Sequence, residues 1–318
     1  MKVVVTGGAG FIGSHIAEAC CQRGFEVAVV DNLSSGKEHN LDWKQPDHQL
    51  QFFKGDINDV SLMEKVIEGA DWVFHEAAMP SVPRSINEPV TSNDDNLTGT
   101  VKLLDISARN NVKRFLFASS SAIYGDQPIE PKTEDLPPMP ITPYGLQKYA
   151  SEKYGQMFHE FHKLPTVGLR YFNVFGPRQA FDSPYSGVIA KFCTVILEGG
   201  IPKVFGDGLQ TRDFTFIENV VAANIAAAEA PAANVAGRYF NVATGSSISL
   251  LDLLDELGNI TGQTITPEFM EARTGDIKMS SADISKAIEA FNLTTHVTWR
   301  EGLQRTFQWY KESSLQPA

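Results

Sequence analysis

The chain has little cysteine and little positive charge. Cys20 and Cys21 are adjacent in a predicted helix, and Cys193 stands alone in the 318 residues. No histidine or cysteine follows them at zinc-ligand spacing, so the pattern carries neither a zinc module nor a disulfide framework. Three free thiols fit a reducing compartment. Lys and Arg number 27 against 38 Asp and Glu, a formal charge of −11. With no run of five basic residues, a nucleic-acid surface is set aside. If the ligands are phosphates, the few arginines must be concentrated where those phosphates sit. No apolar run approaches the ~18 residues of a membrane helix. No targeting segment precedes the first β-branched run at Lys2, and no internal repeat or low-complexity stretch occurs. These absences predict a cytoplasmic protein. A hydrophobic content of 42% and a charged content of 20% are those of an ordinary globular chain.

What is present is a rhythm. Short β-branched runs predict strands over 2–6, 26–31, 50–54, 71–75, 114–119 and 166–171. Helix-length segments fall between them at 11–23, 60–68, 96–110 and 144–163. Strands of four to seven mostly apolar residues separated by helices predict an α/β fold, a doubly wound parallel sheet covered on both faces. Beyond about Gly176 the rhythm loosens into a loop, a helix-like stretch over 188–197, short strands and four more helical patterns. The expected organisation is one domain over 1–175 and a smaller, irregular α/β substrate-binding cap over 176–318, with a return of 214–229 to the first.

The segment Thr6-Gly7-Gly8-Ala9-Gly10-Phe11-Ile12-Gly13 directly follows a predicted strand and opens a helix. A glycine pattern alone is weak, but in this context it is the dinucleotide-binding fingerprint of a Rossmann-type domain. Bare backbone at Gly7 and Gly10 lets amides approach a pyrophosphate at the helix N-terminus, and Gly13 allows close helix–sheet packing. Asp31 lies 18 positions beyond Gly13, where a carboxylate accepts from the adenosine ribose hydroxyls and repels a 2′-phosphate. Neither Asn32 nor Leu33 is the arginine that NADP would prefer. The expected cofactor is NAD.

Pro143 marks a helix start, and Tyr144 and Lys148 follow at i and i+4 on one face. Such a pair alone reads as a solvated face. Upstream, however, a strand runs out into Ser119-Ser120-Ser121 at the sheet edge where open α/β sheets bind ligands. A phenol of ordinary pKa near ~10 is a poor base at neutral pH. An adjacent ammonium and a positive nicotinamide ring would lower it, and Ser120 could orient the same substrate oxygen. The set reads as a carbinol-oxidising Ser-Tyr-Lys site.

With these motifs the sequence resembles the extended short-chain dehydrogenase/reductase superfamily and, within it, the UDP-sugar 4-epimerases, over nearly the whole chain. The resemblance also runs through Asp31–Gly36, Gly55-Asp56-Ile57, His75-Glu76-Ala77-Ala78 and Asn96–Thr100. It continues in Arg170-Tyr171-Phe172-Asn173, Gly206-Asp207-Gly208, Arg212-Asp213-Phe214 and Arg273-Thr274-Gly275-Asp276. It implies NAD contacts from Phe11, Ile12, Asp31, Asn32, Ser35, Gly36, Asp56, Ile57, Ala77, Ala78, Asn96, Tyr144, Lys148 and Phe172. It implies UDP contacts from Asn173, Val188, Phe205, Arg212, Arg273 and Asp276. Arg178, Arg212 and Arg273 are the cations an acidic chain could spend on a diphosphate, a surface ion pair being the plain alternative for each. A homodimer through helices 96–110 and 144–163 is implied as well.

Relatives that dehydrate or decarboxylate nucleotide sugars carry acids just after the catalytic Ser or Thr, whereas here Ser121 and Ala122 follow Ser120. That favours reversible oxidation and reduction at C4, hence 4-epimerisation. The run Ser81-Val82-Pro83-Arg84-Ser85-Ile86 is similar to that of epimerases favouring N-acetylated UDP-hexosamines, with Ser81 beside the sugar. Ser280 falls where a tyrosine narrows the pocket of UDP-glucose-restricted members. A uronate epimerase, dehydratase or reductase of the same superfamily, and an NAD-sensing protein, remain the other readings.

Overall fold

The computed structural model describes residues 1–180, 187–272 and 278–314. Its centre is a parallel sheet of seven strands. They are β1 (Lys2–Thr6), β2 (Glu26–Asp31), β3 (Leu50–Lys54), β4 (Trp72–His75), β5 (Arg114–Ser120), β6 (Thr166–Tyr171) and β7 (Arg238–Val242). Their order across the sheet is β7-β6-β5-β4-β1-β2-β3, so the winding reverses between β1 and β4. A cleft opens at that reversal beyond the carboxyl ends of the strands, which is where open α/β sheets bind ligands.

Alternation along the strands builds two cores. Val4, Val73, Phe115 and Phe117 face α2 (Val60–Ile67), α3 (Gly99–Arg109) and α4 (Pro143–His162) through Met63, Leu103, Leu104 and Phe158. Val3, Val5, Phe74 and Leu116 face the opposite way. There they join α1 (Phe11–Gln22) through Ile16 and Cys20, and the later helix Ile217–Glu229 through Val220 and Ala223. The doubly wound sheet expected from the strand–helix rhythm is therefore present. All three cysteines are buried free thiols.

Two differences from the expected elements have physical causes. Strand β7 lies beyond the 214–229 return. Its Arg238 and Asn241 break the apolar signature, and the buried Asn241 is bonded to Tyr124 and to the Lys132 carbonyl. The expected helix over 96–110 begins regularly only at Gly99, after helical turns at Val82–Asn87 and Pro89–Asn93 and a wide turn at Asp94–Thr98. Pro83 and Pro89 hide those turns in the sequence, although proline is well suited to a first helical position.

Apart from β7 and the helix Ile217–Glu229, the described residues after Phe175 form an irregular region with only short pairings. Lys203–Phe205 runs beside Glu268–Met270, and Thr211–Arg212 beside Ile248–Ser249. Helices α5 (Val188–Leu197), α7 (Leu250–Thr261) and α8 (Trp299–Ser314) belong to this region, while α6 (Ile217–Glu229) packs on the central sheet. A reciprocal Ser249–Asp252 box starts α7 and left-handed Gly262 ends it. Among the described residues no helix is long and apolar enough to cross a membrane.

Candidate active site

The glycine turn is a cradle that side chains would fill. Gly7 is left-handed at φ +67°, and a Cβ there would stand 2.6 Å from the Ala77 nitrogen. At Gly13 it would come 2.3 Å from the Gly7 carbonyl oxygen, and at Gly8 2.7 Å from Val29. No side chain caps α1 at Gly10, which leaves the first amides of the helix to a ligand. Asp31 braces the turn, accepting from the Ala9 N–H at 3.0 Å and the Leu33 N–H at 2.8 Å. Burial raises its pKa and these amides pull it back. A Cβ on Gly36 would meet the Asp31 carboxylate at 2.8 Å. Asn32 donates to Asp56 at 2.8 Å, placing both with Ile57 and exposed Ser35 around the ends of β2 and β3. Buried Asn40, which the pattern did not single out, holds the Ala9 carbonyl at 2.8 Å. Bare glycines beside an open helix start, with an acid at the second strand end, fit a dinucleotide.

A neutral histidine lies under this turn. Thr100 Oγ1 donates to the Asn96 carbonyl, so the His75 Nε2–H must donate to Thr100 at 2.8 Å. His75 Nδ1 then accepts from Thr6 at 2.8 Å, a tautomer assigned by the network. Burial first, and Lys148 second, hold its pKa down at about 3. Asn96 turns its amide to the Met79 backbone at 2.7 and 3.1 Å and to Gln147 at 2.9 Å, which shapes the loop containing Ala77 and Ala78. Phe172 is fully enclosed beside Tyr124.

The reacting groups meet at the end of β5. Lys148 Nζ donates to the Ala118 carbonyl at 2.8 Å and sits 5.8 Å from the centre of the Tyr144 ring. Ser120 accepts from the Ala122 N–H at 3.1 Å, and its hydroxyl lies close enough to Tyr144 to pull the phenol's pKa down. Helix α4 is set by Pro143, by the Thr142 cap on Gly145 at 3.2 Å, and by Ser85, which accepts from the Tyr144 N–H at 3.2 Å. The protein alone raises the Tyr144 pKa: burial dominates, Ser120 lowers it, and Glu76 adds to the rise. Burial also presses Lys148 down to about 8. In the protein alone the phenol is therefore held in its neutral form, and a nearby positive nicotinamide would lower its pKa.

Further out, a cavity of about 560 Å³ is lined by the expected Asn173, Val188, Phe205 and Arg212, together with Gln179, Lys191 and Gln210. Asn173 donates to the Asp213 carbonyl at 3.1 Å. Arg178 is engaged by Glu18 at 2.5 Å, the ion-pair alternative. Ser81 and Ser280 lie outside that cavity's wall. Ser81 caps the 82–87 turn by accepting from the Arg84 N–H, and Ser280 offers its carbonyl to the Asp213 N–H at 2.9 Å, next to Arg212. Arg273 and Asp276 lie outside the described residues.

Residues 3–243 match the model of the "NAD dependent epimerase/dehydratase family". A putative UDP-glucose 4-epimerase of Methanocaldococcus jannaschii is 33% identical over 98% of this chain and 99% of its own. Among solved structures, the UDP-N-acetylglucosamine 4-epimerase of Methanobrevibacter ruminantium, in complex with UDP-N-acetylmuramic acid, superposes with a TM-score of 0.93. Its identity is 41%, over 98% of both chains. The UDP-glucose 4-epimerase of Thermotoga maritima, with UDP-glucose, gives a TM-score of 0.92 at 37% identity, over 99% of this chain and 100% of that one.

Proposed function

The chain belongs to the NAD dependent epimerase/dehydratase family and is a UDP-sugar 4-epimerase; we propose that it interconverts UDP-GlcNAc and UDP-GalNAc, and more slowly UDP-Glc and UDP-Gal. The observation that carries the mechanism is the meeting of Ser120, Tyr144 and Lys148 at the end of β5, with no carboxyl at 121 or 122. NAD, when bound, would supply the acceptor for the C4 hydride and the donor that gives it back to the opposite face of the sugar. Tyr144 takes the C4 hydroxyl proton and later gives it back, Ser120 orients that oxygen, and Lys148 positions the phenol from the same helix face. Asn173, Val188, Phe205 and Arg212 would hold the nucleotide half while the 4-keto sugar turns about its diphosphate link.

Proton NMR of the anomeric signals of the four UDP-sugars tests this reading. Turnover is expected without added cofactor, because the hydride is borrowed and returned. Stoichiometric build-up of free NADH would mark a dehydrogenase instead. The sugar assignment rests on the small Ser280 beside Arg212 and Asp213. A roomy pocket excludes a smaller ligand poorly, since size alone discriminates by ~1–3 kcal/mol per methylene-sized group. Ser280→Tyr is expected to abolish turnover of the N-acetylated pair and spare the hexose pair in kcat/KM. Unchanged N-acetyl turnover would mean that Ser280 does not border the sugar.

The homodimer reading gains support from α4, whose outward stripe Leu146, Tyr154, Met157 and Phe161 is exposed, Phe161 at 68%. The exposed Asp105 and Arg109 of α3 pair with each other. Phe161→Lys with Met157→Lys is expected to halve the sedimenting mass. A wild-type chain that sediments as a monomer at micromolar concentration would remove the proposal.

A further inference from the structure

Glu76 belongs to none of the roles assigned so far. It is the first residue past β4, beside the glycine turn. Its N–H donates to the Thr6 carbonyl at 3.1 Å, and a Cβ on Gly7 would come 2.9 Å from its carbonyl carbon. The carboxyl reaches past the end of β5 to β6, where the Tyr171 hydroxyl donates to Oε1 at 2.9 Å. Asn224 of α6 donates to that hydroxyl at 2.9 Å and to the Val220 carbonyl at 2.9 Å. Asn224 is fully buried and Tyr171 nearly so, so the aim of the carboxyl is set by packing.

Its charged surroundings come from three elements. From α4, Lys148 and Tyr144 face it: its negative charge supports the ammonium and opposes the phenolate. From β6 comes Tyr171, held as the neutral phenol by burial and by Glu76 itself. On β4, His75 is neutral and turned to Thr6 and Thr100. A carboxylate that works against the general base needs a compensating use. A ring exchanging hydride with the carbon whose oxygen meets Tyr144 must lie against that carbon, over this same floor. That ring is cationic when oxidised and neutral when reduced.

We propose that Glu76 discriminates the redox state of the cofactor: its carboxylate, aimed by Tyr171 and Asn224, makes the site hold the oxidised, cationic nicotinamide in preference to the reduced, neutral one. The inference rests on the epimerase reading, in which each hydride taken must be returned and a site left reduced is out of the cycle. Burial pushes the Glu76 carboxyl up to about 7, with Tyr171 and Lys148 pulling it back. The preference therefore grows as pH rises through neutrality.

The test is the two-electron potential of the cofactor bound to the holoenzyme, followed by dihydronicotinamide absorbance against a redox dye. Glu76→Gln keeps an acceptor for Tyr171 but loses the charge. It is expected to shift the bound equilibrium about tenfold toward the reduced form, raising the potential by about 30 mV. Glu76→Asp, which keeps the charge, should stay nearer to wild type. The gap between wild type and Gln should widen from about pH 6 to about pH 8. Should Glu76→Gln fold poorly, Tyr171→Phe gives the second reading. It removes the donor that steadies the carboxylate, so the potential should rise in the same direction by less. A folded variant that loses activity while its potential matches wild type overturns the inference and leaves the epimerase reading standing. A wild-type protein that carries no NAD overturns both.

Discussion

Tyr144→Phe is expected to fold, to retain NAD and to lose ~10²–10⁴ in kcat, the usual contribution of a positioned acid–base group. That corresponds to about 3–5 kcal/mol of barrier. Nothing that builds the site depends on the hydroxyl. Helix α4 is started by Pro143 and by the Thr142 cap, and the link to Ser85 uses the Tyr144 backbone N–H. Lys148 keeps its bond to the Ala118 carbonyl. The loss should fall on kcat, with KM little changed, since the phenol acts on the proton in flight. The pH profile adds a check with a definite sign. The phenol is raised in the protein, so the active phenolate is depleted on acidification and wild-type kcat/KM falls as pH drops. That limb should be missing from the residual rate of the Phe variant. Near-full activity in Tyr144→Phe, with unchanged circular dichroism and NAD content, would mean that another group takes the proton.

Apart from the turns over 82–98, the first half of the fold is readable because its elements declare themselves locally. The expected strands 2–6, 26–31 and 50–54 match β1, β2 and β3, and α1 and α4 begin within a residue of where Gly10 and Pro143 put them. The cap region was hardly readable for the opposite reason. Its pairings are two or three residues long and owe their place to tertiary contacts. The site divides the same way. Gly7, Gly13, Asp31, Tyr144 and Lys148 could be named from spacing, because backbone clearance and helix periodicity impose it. The groups that hold them in position are distant partners that no local pattern can pair: Asn40 on Ala9, Gln147 on Asn96, Ser85 on Tyr144, and Tyr171 on Glu76. The surroundings of the Tyr144 phenol divide in the same way. Spacing gives the neighbouring ammonium, but only the fold gives the desolvation and the carboxyl of Glu76.

The most damaging single change outside the reacting groups should be at Arg170. Its guanidinium is fully buried on β6 and makes two bonds of 2.8 Å to the equally buried Glu152 on α4. It donates to the Tyr124 hydroxyl at 2.8 Å and lies over the Tyr239 ring at 4.0 Å. Burial alone would press the guanidinium to give up its charge, and the Glu152 carboxylate more than offsets this. Glu152 lies two turns along the helix from Tyr144 and also accepts from Ser119 at 2.6 Å, next to Ser120. The pair thus locks the helix carrying Tyr144 and Lys148 to the strand end carrying Ser120. Arg170→Met strands a buried carboxylate, which costs about 3–5 kcal/mol, and it frees α4 to shift against β5. Urea unfolding should show a lower midpoint, and kcat should fall even where the variant remains folded. Adding Glu152→Gln removes the stranded charge and should recover much of the stability, because buried pairs contribute little net free energy over neutral replacements. Activity should recover less, since the lock between helix and strand is still missing. A single variant within about 1 kcal/mol of wild type would show that Glu152 finds water or a proton at no great cost. In that case the ion pair could not be what holds Tyr144, Lys148 and Ser120 in register.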